Sequence, residues 1–506
     1  MAEELILAVD AGSSFLKTVV FDRSGRIVAR TSAPYVVHRP TPERAEQQPD
    51  DWIDLIASSV ESLRAGGCDP RNLAGIALSG RGGGAVFLDA AGTVLAPCWL
   101  DRRSAGAALE LAAVVGENLD YQTRGLAGKT YYLRQSQPAE FRRLERAFFV
   151  KDFLLYRLTG EAATDPSSGP PNGRWPRQLW DAVGFPVDRL APVRPHTAVG
   201  GTLTTAVAAR LGLPARLPVG VGGHDGACAN AGAGAILPGQ VCLTLGTNGV
   251  SRAIAAAPPE RARERRVSPY HFLPGRWCCS GDLVRAGSAP TLVATLLGAD
   301  ASTPAATAGA HARLTREARE VEAGSHGVIY LPFPAGQVSP ELRTDARAAF
   351  VGMTTATTPA ALYRAALEGV ACAFRSVIGR QRAIGLTLDD FRLSGGGAQN
   401  DLWAQIVADV LGRAITVMEP EEGARGAAIF LAVGLGWFDS PEEAVQEWVR
   451  PVARYVPSVQ AASYERVYRR FCRLADAVYE ADSEGENING LRSGADQRSG
   501  DRSDPG

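Results

Sequence analysis

Asp225 is the one acid in a run of small residues, VGGHDGACANAGAG over 221–234. Small residues let a backbone approach a ligand closely and take positive φ without strain. Downstream, the apolar run Gln240 to Leu245 ends in Gly246-Thr247-Asn248-Gly249, and a second run starts at Val250. A Gly/Thr/Asn turn between two strands points backbone N–H groups and a hydroxyl one way, which makes an anion nest. A carboxylate therefore stands close in sequence to a phosphate grip. Taken alone, the stretch also fits a buried glycine-rich crossing followed by a solvated hairpin. The N-terminus repeats the pattern. A buried strand, LILAVD, ends on Asp10; Ala11-Gly12-Ser13-Ser14 is a turn, and Phe15 to Phe21 is the returning strand. Asp22 to Gly25 is another turn before Arg26 to Thr31. Two such hairpins predict two related α/β domains facing one nucleotide.

The elements that must position these residues need a long chain, and 506 residues predict two to three domains. With 45% apolar and 21% charged residues the chain can bury large cores. A net charge of −1 gives no footprint for nucleic acid or a membrane surface. The basic residues are nearly all Arg, with Lys only at 17, 129 and 151. Eight cysteines without a CxxC pair fit a reducing cytoplasm. The start, MAEELILAVDAG, has acids where a signal peptide needs bases. Helices are expected over 303–322, 359–383, 402–411 and 463–480, and residues 481–506, almost without apolar side chains, read as a disordered tail.

Three local patterns are rejected. Gly80 to Ala85 fits GxGxxA, but a strand-like run follows it and not a helix. Gly128-Lys129-Thr130 lacks the first glycine and preceding strand of a phosphate-binding loop. Ser14 to Lys17 fits SxxK in a turn and strand, not on a helix. The six His residues show no metal-ligand spacing.

DAGSSFLKTVVFD (10–22) resembles the first phosphate hairpin of the actin–hexokinase–Hsp70 superfamily. ERAEQQPDDW (43–52), the segment 75–104, KDFLLYRLTGEAATDPS (151–167), GGHDGACANAGAG (222–234), LGTNG (245–249) and LSGGGAQNDLWAQIVADVLG (393–412) resemble, in order, the segments of the FGGY carbohydrate kinases. This resemblance implies two ribonuclease-H-like (actin-like ATPase) domains with an interdomain active-site cleft. Residues 1–248 would bind the sugar and the first phosphate site, and 249–480 the nucleotide. The implied reaction moves the γ-phosphate of ATP to a sugar hydroxyl in the cytoplasm, with Mg²⁺, in a chain that is expected to form a homodimer.

The resemblance also assigns roles. Asp225 is the implied base for the sugar hydroxyl, with a helix-capping Asp as its plain alternative. Asp10 is the implied Mg²⁺ site through water. Gly12, Ser13, Ser14, Gly246, Thr247 and Asn248 would cradle phosphate, with Lys17 either reaching phosphate or solvated. Gly396 and Gly397 would let adenosine lie on the backbone, and Asn400 would reach ribose or base. Arg81, Gly82, Gly83, Trp99, Asp101, Arg103, His224 and Asp225 would line the sugar. The departure is Arg81-Gly82-Gly83-Gly84. Xylulokinases usually carry Gln-Met-His-Gly there and glycerol kinases an Arg-Glu pair. The glycines imply a void, and a substrate bulkier than glycerol, with D-xylulose first among the ketoses, polyols and sugar acids. A non-catalytic actin-like ATP-binding protein is the alternative of another class.

Overall fold

The computed structural model describes residues 4–492, apart from 42, 117–120, 263–265, 301–302, 340 and 344. Two seven-stranded sheets carry the chain. The first is built from β1 (Leu5–Ala11), β2 (Phe15–Asp22), β3 (Ile27–Pro34), β4 (Leu73–Gly80), β5 (Val199–Thr202), β6 (Pro218–Gly220) and β7 (Gly223–His224). Its order is β5-β6-β4-β1-β2-β3, with β7 beside β4. β1 is apolar along almost its whole length because helices cover both faces of the sheet centre.

The second sheet holds β8 (Gln240–Leu245), β9 (Gly249–Ala255), β10 (Ser268–Leu273), β11 (Arg276–Leu283), β12 (Asp390–Ser394), β13 (Ile415–Met418) and β14 (Pro451–Tyr455). Its order is β10-β11-β9-β8-β12-β13-β14. The pattern of the first sheet recurs: an antiparallel meander, then parallel strands added beside its first member. Because β8 pairs with β9 and β12, the division between the sheets falls before Gln240 and not after residue 248 as expected.

Helices α1 (Asp51–Ala65), α2 (Tyr121–Ser136), α3 (Val150–Thr159) and α4 (Asp225–Gly232) belong to the first half. α5 (Pro304–Arg319), α6 (Pro359–Ala383), α7 (Asp401–Leu411), α8 (Glu422–Gly434) and α9 (Ala461–Arg492) belong to the second. Where a disordered tail is expected from residue 481, α9 runs on to Arg492, continuing the helix that starts at Ala461. Residues 493–506 lie outside the described residues. Among the described residues no helix is long and apolar enough to cross a membrane.

α4 and α8 cross between the sheets. Ile6, Ala8 and Ala77 of the first sheet share one core with Ala227 and Ala231 of α4, Ala424 and Ala428 of α8, and Ile254 and Tyr270 of the second sheet. The contact is close because it is made of small residues. A Cβ on Gly232 would collide with the Glu422 carbonyl, and one on Gly426 with the Cys228 carbonyl. Gly222, at φ 65°, could not carry a Cβ without striking the Leu78 carbonyl. The glycines expected to admit a ligand backbone at 222–234 thus serve strand and helix packing.

Candidate active site

Pairing across the first sheet sets the site. Asp10 on β1 stands opposite Ser79 on β4, and Ser79 stands opposite Gly223 on β7. Two strand spacings separate Asp10 from Gly223, on the order of 10 Å. The chain then turns at His224 into α4, whose first residue is Asp225. Two carboxylates end up on either side of a gap at the carboxyl ends of parallel strands, where open α/β sheets bind ligands.

Asp10 accepts from Ser79 Oγ at 2.7 Å. Burial pushes its carboxyl up to about 6; Ser79 and Lys17 oppose the rise, while Asp225 and Glu422 add to it. A Cβ on Gly423, near the start of α8, would lie 2.7 Å from Asp10 Oδ2, so glycine is what lets α8 meet this acid. Among the described residues no three His, Cys, Asp or Glu side chains gather into a metal cage. Asp10, facing two further acids, fits a hard cation that keeps most of its own waters and takes only one or two carboxylates from the protein.

The turn Gly12-Ser13-Ser14 leaves both serines exposed, while its carbonyls are tied behind it. Gly12 O accepts from Arg81 Nη1 at 3.0 Å, Ser13 O from Gln47 Nε2 at 3.3 Å, and Ser14 O from the Tyr35 amide at 3.2 Å. With the carbonyls held back, the face left open is that of the amides and hydroxyls. Lys17 is not free: its Nζ donates to Glu421 at 3.1 Å across the two halves.

At the second turn, Thr247 and Asn248 are exposed. Ser288 N donates to Thr247 O, and Asn248 Oδ1 accepts from the Arg285 amide at 2.8 Å. Gly395 sits on Leu245 and Gly246, where a Cβ would lie 2.7 Å from the Leu245 carbonyl. Gly396 faces open space, and Gly397 is pressed between Leu245 and Trp403. The glycine turn after β12 therefore abuts the second hairpin, and Gly396 is the member with room above it. Asn400 is committed elsewhere. Its Oδ1 caps α7 through the Trp403 amide (3.1 Å), and its Nδ2 donates to Thr315 Oγ1 (2.8 Å). An Asn that opens a helix finds its nearest partner in the orphan amides of the first turn, not in a ligand.

The expected sugar segment is the most changed by the fold. Arg81 is 6% exposed. Its guanidinium is held by Gly12 O, lies 3.2 Å from Cys98 Sγ and sits over the ring of Trp52 at 5.3 Å. It braces the Gly12-Ser13-Ser14 turn. Trp99 is buried between Phe87 and Tyr132. Asp101 and Arg103 clasp each other at 2.6 Å, Arg103 reaches Glu46, and Asp101 accepts the Ala45 amide. Burial opposes ionisation of Asp101, but the Arg103 hydrogen bonds win and hold its carboxyl well below the usual range. This clasp fastens the segment to 45–46. Gly83 has φ 73° and lies under α2, where a Cβ on Gly125 would come within 3.0 Å of its Cα. So the glycine run is not simply a void: at Gly83 a helix occupies one side.

His224 caps α4, its Nδ1 accepting from the Ala227 amide at 3.2 Å. Burial brings the ring down to about 4, so it stays neutral, with its edge against Tyr270 of β10. Sequence reasoning missed the groups that the second sheet adds. A Cβ on Gly226 would lie 2.8 Å from Tyr270 Oη and 2.9 Å from Arg252 Nε, so both side chains lie against the start of α4. Arg252 also donates to Thr244 Oγ1 at 3.0 Å. Ser79, Arg252, Tyr270 and Glu422 carry no local motif; only their strand positions could have marked them.

Residues 5–232 match the FGGY family of carbohydrate kinases, N-terminal domain, and residues 241–435 match its C-terminal domain. A xylulose kinase of Bacillus subtilis (strain 168) is 28% identical over 476 residues, covering 90% of this chain and 93% of its own. A gluconokinase of the same organism is 24% identical over 507 residues, covering 94% and 96%. The crystal structure of a xylulose kinase from Rhodospirillum rubrum superposes with a TM-score of 0.80 at 28% identity, covering 94% and 99% of the two chains. Two half-length matches in the family's order, on a fold of two sheets with acids at the strand ends between them, carry one conclusion: the chain belongs to the FGGY family of carbohydrate kinases and is an ATP-dependent sugar kinase.

Proposed function

We propose that the chain phosphorylates a ketopentose, D-xylulose first, with Asp225 as general base. The observation that carries this reading is the placement of Asp225 as the first residue of α4, across β4 from Asp10. A carboxylate there can take the proton of a hydroxyl as it attacks phosphorus, typically worth ~10²–10⁴ in rate. The exposed Ser13 and Ser14 of the first turn and the exposed Thr247 and Asn248 of the second would face the phosphates of ATP, and Gly396 leaves space for the adenosine. Phosphoryl transfer asks mainly for positioning and charge neutralisation, and these hairpins supply the positioning. Asp10 would hold Mg²⁺ through water, with Glu422 next to it; bound there, the cation neutralises the charge of the transferring group. All eight cysteines are free, which fits a cytoplasmic enzyme.

D-xylulose rests on the xylulose kinase relatives. A sugar acid is the specific second reading, favoured by the Arg252 guanidinium beside the start of α4 and by the gluconokinase relative. The deciding test is ADP release over ketoses, polyols and aldonates. D-xylulose is expected to give the highest kcat/KM; a clear preference for an aldonate, lost in Arg252→Gln, would move the assignment to the acid. Glycerol as best substrate would overturn both.

A further inference from the structure

Beside the catalytic helix lies a buried charged cluster that takes no part in the phosphate grip. Lys151 Nζ donates to Asp152 Oδ1 at 2.5 Å and lies 2.8 Å from Asp165 Oδ2. His196 Nε2 lies 3.1 Å from Asp165 Oδ1. The same Oδ1 accepts the Ser167 amide at 2.8 Å and the Ser167 hydroxyl. None of these five residues is more than 3% exposed. Burial alone would raise the Asp165 carboxyl, yet Lys151 and His196 hold it well below the ordinary range, so it stays an anion and an acceptor.

The cluster reaches the start of α4 through Ser167, and the segment before it through the His196 carbonyl, which accepts the Gly222 amide at 3.1 Å. With its proton given to Asp165, Ser167 Oγ accepts the backbone N–H of His224 at 3.1 Å. His224 is the N-cap of α4 and the residue before Asp225. In a capping box the N-cap side chain takes the N3 amide, and a Glu or Gln at N3 reaches back to the N-cap amide. Here the first half exists, from Ala227 N to His224 Nδ1. The second half cannot, because N3 is Ala227. Ser167, from a separate segment, fills that place. Burying charges is costly even when they are paired, so packing alone would be met better by apolar side chains.

We propose that Ser167 is a positioning residue for Asp225: the clamp of Lys151 and His196 on Asp165 fixes the Ser167 hydroxyl, which holds the N-cap of the helix that Asp225 opens. This rests on Asp225 being the base. The test is Ser167→Ala in the full chain, with Ser167→Thr as the conservative variant that keeps the hydroxyl. Steady-state kinetics on the best sugar are measured together with amide hydrogen exchange of the peptide spanning 221–228. In Ser167→Ala, kcat is expected to fall about tenfold and both KM values to stay within about twofold. Exchange at 221–228 should speed up about fivefold or more, and Ser167→Thr should recover most of kcat. Faster exchange with unchanged kcat overturns the positioning role while leaving the kinase reading intact. Unchanged exchange overturns the hold itself. A lower melting temperature with raised KM values reduces Ser167 to a packing residue. If the unmodified chain turned over no sugar, the base assignment would fall and the positioning role with it.

Discussion

The two halves of the molecule use one plan for different work. In the first, β1 pairs with β4 so that Asp10 meets Ser79, 2.7 Å between side-chain oxygens. In the second, β8 pairs with β12 so that Thr244 meets Ser394, 3.2 Å between hydroxyls. Each half then opens a helix with an acid, Asp225 on α4 and Glu422 on α8, and the two helices pack together through glycines. The difference lies in charge. An anion at the end of β1 creates a place for a cation; a neutral hydroxyl at the end of β8 leaves that hairpin free to receive phosphate. Both acids act on Asp10, but the start of α4 also lies against Arg252 and Tyr270. On the proposed reading, Asp225 would face the sugar hydroxyl and Glu422 the metal side.

Changing the two acids separately gives the largest effect. Asp225→Asn should lower kcat by ~10²–10⁴ while ATP binding, followed by calorimetry, stays within about twofold. Glu422→Gln should cost less than about tenfold, and mostly in the Mg²⁺ requirement. Equal losses from the two would erase the division of labour.

The contrast between Asp10 and Thr244 is tested by pH. The Asp10 carboxyl rises from 3.8 to about 6 on burial, so it is neutral below about pH 6 and an anion above. Mg²⁺ competes with that proton. The acid limb of kcat/KM should sit near pH 6 at low Mg²⁺ and move to lower pH as Mg²⁺ rises; a limb that ignores Mg²⁺ would remove Asp10 from the metal site. For stability the sign is the reverse of a salt-bridged acid. The native state binds this proton more readily than the unfolded state between about pH 4 and 6, so the metal-free protein loses stability as pH rises through that window. Asp10→Asn should therefore raise the melting temperature at about pH 7.5, with the gain gone below about pH 4.

The helix contact that joins the halves predicts a mid-sized effect. Gly426→Ala puts a methyl into the Cys228 carbonyl. Overpacking of this kind costs ~1–3 kcal/mol, read as a lowered denaturation midpoint. An unaltered midpoint would mean that the helices separate more easily than their packing shows. Thr247→Val is the smallest change. Loss of one hydroxyl contact to phosphate, ~0.5–1.5 kcal/mol, should raise KM for ATP about two- to tenfold with kcat nearly kept. No change would leave phosphate binding to the first hairpin.

Both hairpins, the order of the family segments and the acids at 10 and 225 were legible because each is local: a strand, a turn of small residues and a polar group within a few positions. Local reading misled where a side chain had a second possible partner. Asn400 reads as a contact to ribose or base, but in the fold its side chain caps α7 through the Trp403 amide, one turn away. Arg81, Asp101 and Arg103 read as sugar contacts in sequence, but in the fold Arg81 is held by the Gly12 carbonyl and the Trp52 ring, and Asp101 and Arg103 hold each other.

By itself the sequence determined two repeated α/β halves, the two hairpin turns and the family, since strand periodicity and turn chemistry are properties of neighbouring residues. Only the tertiary structure decided what surrounds Asp225. Ser167 comes from 57 residues upstream of His224, and Arg252 and Tyr270 arrive on strands of the other sheet. It also decided what the glycines are for. A glycine's missing side chain does not say whether the space is kept for a ligand, a carbonyl or a helix. At Gly396 nothing stands within 4 Å, at Gly222 and Gly426 a carbonyl does, and at Gly83 the backbone of Gly125 lies close by. That distinction is set by sheet register and helix crossing, which no single segment encodes.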